Sequence, residues 1–335
     1  MNQIQLGRTG PRVGALGLGC MGMSDFYGPA DRAESLATIA AALDAGMTLL
    51  DTGDFYGMGH NELLLAEALR NRPRDSYQLS VKFGAQRDPA GGFLSVDTRP
   101  VAVKSFLAYS LNRLGVDHID IYRPARLDPH VPIEDTIGAI SELVQAGYVR
   151  HIGLSEVGVA TIRRAAAVHP ICDVQLEYAL ITRGVEAAIL PACRELGIAV
   201  TAYGVLARGL ISGHWTAGAA KAGDSRAGGP RFQPGNVEQN LALVETLRAL
   251  ASAKGVSVAQ LAIAWVAAQG RQAGGSDILP LVGARRRDRL TEALGAADVV
   301  LSDADLAAIA RAVPGNAAAG ERYPAAMMAH LDSEQ

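Results

Sequence analysis

The chain has 335 residues, 49% of them apolar, and a formal net charge of −3. It can bury a large core, and its slight negative charge argues against nucleic acid or an anionic membrane as its main partner. No stretch approaches about 18 uninterrupted apolar residues, which excludes a transmembrane helix on length. Three widely spaced cysteines (Cys20, Cys172 and Cys193) fit neither a disulfide framework nor a metal cluster. The N-terminus lacks the basic and apolar regions of a signal peptide, so a cytoplasmic location is expected.

Residues 3–6 and 12–13, around Thr9-Gly10-Pro11, predict a short hairpin ahead of the main fold. After Gly14 a rhythm begins: a short apolar run, a polar loop, an amphipathic helix. The apolar runs are 15–20, 47–50, 78–81, 118–122, 149–154, 172–176, 198–202 and 278–282. Between them, apolar spacing of three and four predicts helices at 34–45, 62–70, 101–114, 133–146, 159–168 and 185–196. A long stretch, 212–235, carries Trp215, Arg226, Arg231 and Phe232, and a loop of that length is either functional or disordered. Helices are predicted next at 238–253 and 258–268, then a glycine-rich stretch at 269–276 before the last strand. Helices at 286–294 and 303–313 close the fold, followed by an alanine-rich tail expected to be loosely held.

Strands that alternate with helices must run parallel. Eight such units form either an open doubly wound sheet or a closed barrel. The glycines spaced Gly17-x-Gly19-x-x-Gly22 begin inside the first run and not in a turn after it, where an open dinucleotide-binding sheet would carry them. Polar residues also cluster after several different strands, as the C-terminal face of a barrel requires. The expected fold is therefore one (β/α)8 TIM barrel domain, with its core at about 14–313 and a tail at 314–335.

Three ionisable residues stand just after the second and third runs: Asp51 and Tyr56 in Asp-Thr-Gly-Asp-Phe-Tyr-Gly, and Lys82 in Val-Lys-Phe-Gly. A free tyrosine has a pKa of about 10 and is a poor acid near neutrality. A nearby ammonium lowers that value and eases proton donation, and Asp51 would hold Lys82 charged and aimed. Taken singly, each residue has a bland role, as a loop cap, a packing ring and a solvated strand end. Three at successive strand ends read as machinery for protonating an oxygen.

Several motifs, in order from about residue 3 to 313, resemble the aldo-keto reductase superfamily. They include Leu-Gly-Leu-Gly-Cys-Met-Gly-Met (16–23), the segment at 51–57, Leu-Gly-Val-Asp-His-Ile-Asp-Ile-Tyr (114–122) and Ile-Gly-Leu-Ser-Glu (152–156). Gln-Leu-Glu-Tyr (175–178), Tyr-Gly-Val-Leu-Ala-Arg-Gly (203–209) and Val-Gly-Ala-Arg-Arg-Arg (282–287) continue the likeness. The resemblance implies metal-free hydride transfer from NADPH to a small-molecule carbonyl, with Tyr56 as general acid tuned by Lys82 and Asp51. It places Ser155, Glu156 and Gln175 on the nicotinamide carboxamide, although asparagine is commoner at 156, and Tyr203 as the stacking ring. Met21, Gly22, Gly204, Leu206, Arg208, Gly209 and Gly283 would line the rest of the cofactor, with Arg208 and the long loop over the pyrophosphate.

After the last strand, arginines 285–287 and Arg289 open a helix, which is physically an anion site. The resemblance puts the adenosine 2′-phosphate here, with Arg285 and Arg289 as its partners and Glu292 retained near the adenine. Arg286 and Arg287 read as an exposed basic helix start. The family's fourth strand usually ends in a histidine that bonds the substrate carbonyl. Here the strand reads Tyr122-Arg123-Pro124-Ala125-Arg126, with Ala125 in that place.

Three readings of Ala125 stay open. Arg123, on the same strand face, either substitutes as donor or neutralises a carboxylate deeper in the barrel, with the loop residues His60 and His130 as weaker candidates. Alternatively, the alanine widens a pocket walled by Phe26 and Phe55, with Tyr27, Trp215, Met21, Met23 and Met58 nearby. In the third reading, the chain binds NADPH as a sensor with little turnover. The oligomeric state is left open.

Overall fold

The N-terminal hairpin forms as expected, with β1 (Gln3–Gln5) antiparallel to β2 (Arg12–Gly14). The structure is a computed structural model and describes residues 1–220, 223–270 and 277–334. The apolar runs become parallel strands, beginning with β3 (Gly17–Gly19), β4 (Leu49–Gly53) and β5 (Gln78–Phe83). A second hairpin, β6 (Ala85–Arg87) with β7 (Phe93–Val96), lies outside the barrel. This hairpin was not expected from the sequence; its turn, Asp-Pro-Ala-Gly-Gly, is held by the Asp88 carboxylate, which accepts from Gly92 N at 2.7 Å. The barrel continues through β8 (Ile119–Pro124), β9 (Val149–Ser155), β10 (Ile171–Glu177), β11 (Ala199–Tyr203) and β12 (Ile278–Gly283). It closes where β12 pairs with β3, Leu281 opposite Gly17.

Helices cover the outside: α1 (Arg32–Asp44), α2 (His60–Leu69), α3 (Pro100–Leu114), α4 (Ile133–Gln145) and α5 (Val159–Val168). Asp31 caps α1 by accepting from Glu34 N at 2.8 Å, and Gly115, at φ +67°, ends α3 in the left-handed region. Next comes α6 (Ile189–Leu196), shorter than the expected 185–196. Pro191 has no N–H to donate and is tolerated only in a first helical turn, which sets the start late. Then follow α7 (Asn236–Ala253), α8 (Val258–Gly270), α9 (Arg287–Leu294) and α10 (Asp303–Ala312). Of the glycine-rich stretch expected at 269–276, residues 271–276 lie outside the described residues. Among the described residues no single helix is long and apolar enough to cross a membrane.

The base of the barrel is shut by the hairpin. Leu6 and Val13, both fully buried, pack with Leu49, Ile121, Ala199 and Leu279 from the starts of the strands. At the opposite end the tail departs from expectation. Instead of lying loose, residues 320–334, including the short α11 (Ala325–Met328), fold back over the mouth. Arg322 and Leu331 there are 5% and 2% exposed. The buried Arg322–Glu156 ion pair docks this segment together with Leu331, and a buried leucine without a helical stripe around it is why hydrophobic periodicity gave no sign of it.

Candidate active site

Side chains from the ends of two neighbouring strands and of one across the barrel meet at the mouth. Asp51 on β4 forms a buried ion pair with Lys82 on β5. It also accepts from Ser80 Oγ and, across the barrel, from Gln175 Nε2 of β10, each at 2.8 Å. The Lys82 ammonium lies 5.1 Å from the centre of the Tyr56 ring. Tyr56 sits in the turn after β4, whose shape is fixed by Tyr56 N to Gly53 O at 3.1 Å and by Thr52 Oγ1 to Asn61 at 2.6 Å. Phe55 packs edge-on to Tyr56 with ring centres 4.8 Å apart, and Phe26 does so at 6.2 Å. Arg87 lies over Phe26 at 4.9 Å and pairs with Asp25. The sequence-predicted trio and both wall residues are thus gathered in one place.

The expected lowering of the tyrosine pKa is not found. Burial pushes Tyr56 well above the ordinary value, Asp51 adds to the rise, and Arg126 pulls the other way. Burial likewise lowers the Lys82 pKa, against the pull of Asp51. Closing a site around a neutral phenol costs less than closing it around a phenolate, so proximity of the ammonium does not decide the outcome.

Arg123 does not reach the mouth. It is fully buried, donating from Nη2 to Asp173 Oδ2 at 2.9 Å and to Ser80 Oγ at 3.1 Å, and from Nη1 to Leu154 O at 3.3 Å. Of the two readings of Arg123, the structure has the one that neutralises a deeper carboxylate. Thr201 Oγ1 donates to Asp173 at 2.5 Å, so polar groups run in a file from Thr201 through Asp173, Arg123 and Ser80 to Asp51. His60 bonds Ser24 at 2.8 Å and His130 is an exposed loop residue.

Sequence reasoning passed over Arg126. This half-buried residue follows Ala125, itself 1% exposed, and its Nη1 donates to the Ala125 carbonyl at 2.6 Å. Among the described residues no carboxylate pairs with it within 4 Å. Burial opposes its charge, while Tyr203, Tyr323, Glu156 and Tyr56 favour it, and the net pKa is raised. A guanidinium directly after a strand end was the available signal.

Ser155, Glu156, Gln175 and Tyr203 come together at the ends of β9, β10 and β11. The Ser155 hydroxyl is buried and has no hydrogen-bond partner, an orphaned polar atom that suits a carboxamide. Glu156, at φ +53°, has its carboxylate fully engaged elsewhere. It accepts from Arg322 Nη1 (2.9 Å) and Nη2 (2.6 Å), Ser333 Oγ (2.6 Å), Tyr203 OH (2.8 Å) and Glu177 N (3.0 Å). Burial alone would raise its pKa, but Arg322, Arg126 and Ser333 hold it down at about 2. The Tyr203 hydroxyl also meets that of Tyr323 at 2.9 Å, and Arg208 lies 4.2 Å over the Tyr323 ring.

The long loop is strapped across the mouth. Ser225 N donates to Phe26 O at 2.8 Å, and Arg226 pairs with Asp224 while lying over Tyr27 and Trp215. Trp215 packs on Phe232 at 4.9 Å rather than beside Tyr56. Arg208, at φ +59°, and Gly209, at φ +94°, form the turn after β11, with Gly204 and Leu206 ahead of them. Met21 and Gly22 form a helical turn after β3, and the Gly283 backbone ends β12.

Arg285 is half-buried and donates to the carbonyls of Tyr27, Gly28 and Pro29 at 3.1–3.2 Å. Arg289 is exposed and pairs with Glu292 at 3.3 Å, which also bonds His214. Arg286 pairs with Asp288 and Arg287 with Glu34. The first turn of α9 is not open, as a bare anion site would be. Glu34 Oε1 accepts from Arg287 N at 2.8 Å, so a carboxylate of the chain already sits on the helix start.

Residues 15–314 match the family model described as aldo/keto reductase family. The chain is 40% identical to "Probable aldo-keto reductase 1" of Glycine max over 96% of this chain and 91% of that protein. Among solved structures it is similar to the glycerol dehydrogenase AKR11B4 from Gluconobacter oxydans, at TM-score 0.83 and 28% identity over 93% of this chain and 96% of that one. It is also similar to aldo-keto reductase AKR11C1 from Bacillus halodurans, at TM-score 0.77 and 26% identity over 94% and 97%. The closed barrel, the polar cluster at its mouth and these matches agree: the chain belongs to the aldo/keto reductase family, oxidoreductases that use nicotinamide cofactors on small-molecule carbonyls.

Proposed function

We propose that this chain reduces an aldehyde or ketone to an alcohol with NADPH, and that Tyr56 is the general acid. The observation that carries this reading is the buried Asp51–Lys82 pair beneath Tyr56. A nicotinamide dinucleotide held at this mouth would supply the hydride for the carbonyl carbon. Tyr56 gives its proton to the carbonyl oxygen, and burial keeps that proton in place until charge develops. Lys82, oriented by Asp51, steadies the phenolate that forms. Ser155 offers its unpartnered hydroxyl to the carboxamide, and Tyr203 offers its ring to the nicotinamide.

Arg285 and Arg289, on either side of the α9 start, support NADPH over NADH through charge-assisted bonds to a 2′-phosphate. The family's histidine is replaced by Ala125, so the second donor to the carbonyl is absent from its usual place. Phe26 and Phe55 form an apolar wall for the substrate beside Tyr56.

The experiment is NADPH oxidation against small aldehydes, cyclic ketones, keto-sugars and pyridoxal, with Tyr56→Phe alongside. Turnover that falls by about 10²–10⁴ in the variant, with NADPH binding retained, supports the reading. Tight NADPH binding without turnover on any member would favour a sensor in its place.

A further inference from the structure

We propose that Arg322 is a positioning residue of the nicotinamide site, and that it acts through Glu156 on Tyr203. The proposal rests on the cofactor reading given above.

The geometry is a relay of named contacts. Arg322 grips both oxygens of Glu156, at 2.9 and 2.6 Å, in the forked arrangement that a planar guanidinium favours. Glu156 Oε1 in turn accepts from the Tyr203 hydroxyl at 2.8 Å. The same hydroxyl meets Tyr323, the residue after Arg322, at 2.9 Å. Glu156 lies in the left-handed region at φ +53°, a conformation that a non-glycine residue keeps only when its surroundings hold it. Ser333 Oγ, from the far end of the tail, completes the carboxylate's set of donors at 2.6 Å. Asp332 anchors that end by accepting from Gly158 N, just after β9, at 2.7 Å.

All of these side chains are buried or half-buried, and Arg322 and Glu156 are 5% and 1% exposed. A carboxylate with five donors has no lone pair left for the carboxamide N–H groups. Its remaining use is to fix the Tyr203 ring by its hydroxyl. The tail therefore belongs to the site rather than to the surface around it. Removing Arg322 leaves Glu156 buried with one fewer cation, and Tyr203 then loses its fixed partner.

The experiment is equilibrium NADPH binding, followed by nucleotide fluorescence, on the full chain and on Arg322→Ala, Arg322→Lys, Tyr203→Phe and the Arg322→Ala/Tyr203→Phe pair. Thermal unfolding and limited proteolysis without nucleotide accompany it, to show that each barrel is folded and whether the tail is released. Loss of a buried hydrogen bond to a charged group predicts NADPH binding weaker by about ten- to a hundredfold in Arg322→Ala. Lysine, which lacks the fork, should restore only part of that. Action through Tyr203 predicts that the double variant loses less than the two singles combined.

Additive losses would overturn the relay, and so would unchanged affinity in an Arg322→Ala protein whose tail is cut freely. If the unaltered chain binds no nicotinamide nucleotide, the functional reading falls and this proposal falls with it. Affinity lost by the variants alone, and less in the double variant than in the two singles combined, supports the proposal.

Discussion

Arg123 and Asp173 pair inside the barrel, Nη2 to Oδ2 at 2.9 Å, with neither side chain exposed. Such a pair adds little compared with well-packed apolar residues, yet breaking it strands a charge. Arg123→Met is expected to destabilise the fold by about 3–5 kcal/mol in urea unfolding. Replacing Asp173 by Asn in the same protein should recover much of that loss. A single variant as stable as the parent would remove Asp173 as the reason for a buried arginine.

Arg126 is the cation that lowers the Tyr56 pKa, against burial and Asp51. Reduction needs Tyr56 protonated, so activity falls as pH rises through its pKa in the complex. In Arg126→Ala that pKa rises further, the alkaline limb of kcat/KM moves to higher pH, and the phenol, now a weaker acid, donates its proton less readily at neutrality. A limb that stays in place would separate Arg126 from Tyr56 electrostatically.

Glu156 has its folded pKa depressed to about 2, below the ordinary glutamate value. A depressed carboxylate contributes stability that is present above its unfolded pKa and lost as pH falls through the folded one. The contribution is about 3 kcal/mol near neutrality, and it drains away between about pH 4.5 and pH 2. Urea midpoints of the parent and Glu156→Gln at pH 7 and pH 3 check this: the gap between the two proteins should shrink on acidification. An equal gap at both values would mean that Glu156 is not held ionised by Arg322.

Glu34 occupies the α9 start through Arg287 N. An incoming 2′-phosphate has to compete with that carboxylate for the same positive end of the helix. Glu34→Gln should therefore strengthen NADPH binding relative to NADH, while Arg285→Ala should weaken NADPH far more than NADH. Equal changes for the two nucleotides in either variant would take that residue out of phosphate recognition.

The barrel was legible because each strand and helix announces itself locally, by apolar runs and by spacing of three and four. Asp51, Tyr56 and Lys82 were legible for a related reason: each stands within a few residues of a strand end, and strand ends share one face. What failed depended on distance in the chain. Glu156 sits in the expected strand end, but its partners Arg322 and Ser333 lie 166 and 177 residues away. The tail that carries them has no apolar stripe to give notice of burial. Alternation along a strand gave the face of Arg123, yet not its depth, and Asp173 fifty residues on decided that. Arg126 escaped notice because it lies just past the strand, where alternation no longer applies.

The hairpin that plugs the base of the barrel has a consequence for proton traffic. With Leu6 and Val13 seated against the strand starts, the hydrogen-bonded file from Thr201 to Asp51 meets the mouth at Lys82. Exchangeable hydrogens on Arg123, Ser80 and Thr201 are then expected to trade with bulk water by way of the mouth. An occupied mouth would turn the barrel axis into a sealed reservoir, so the depth at which deuterium penetrates becomes a gauge of what is bound above it.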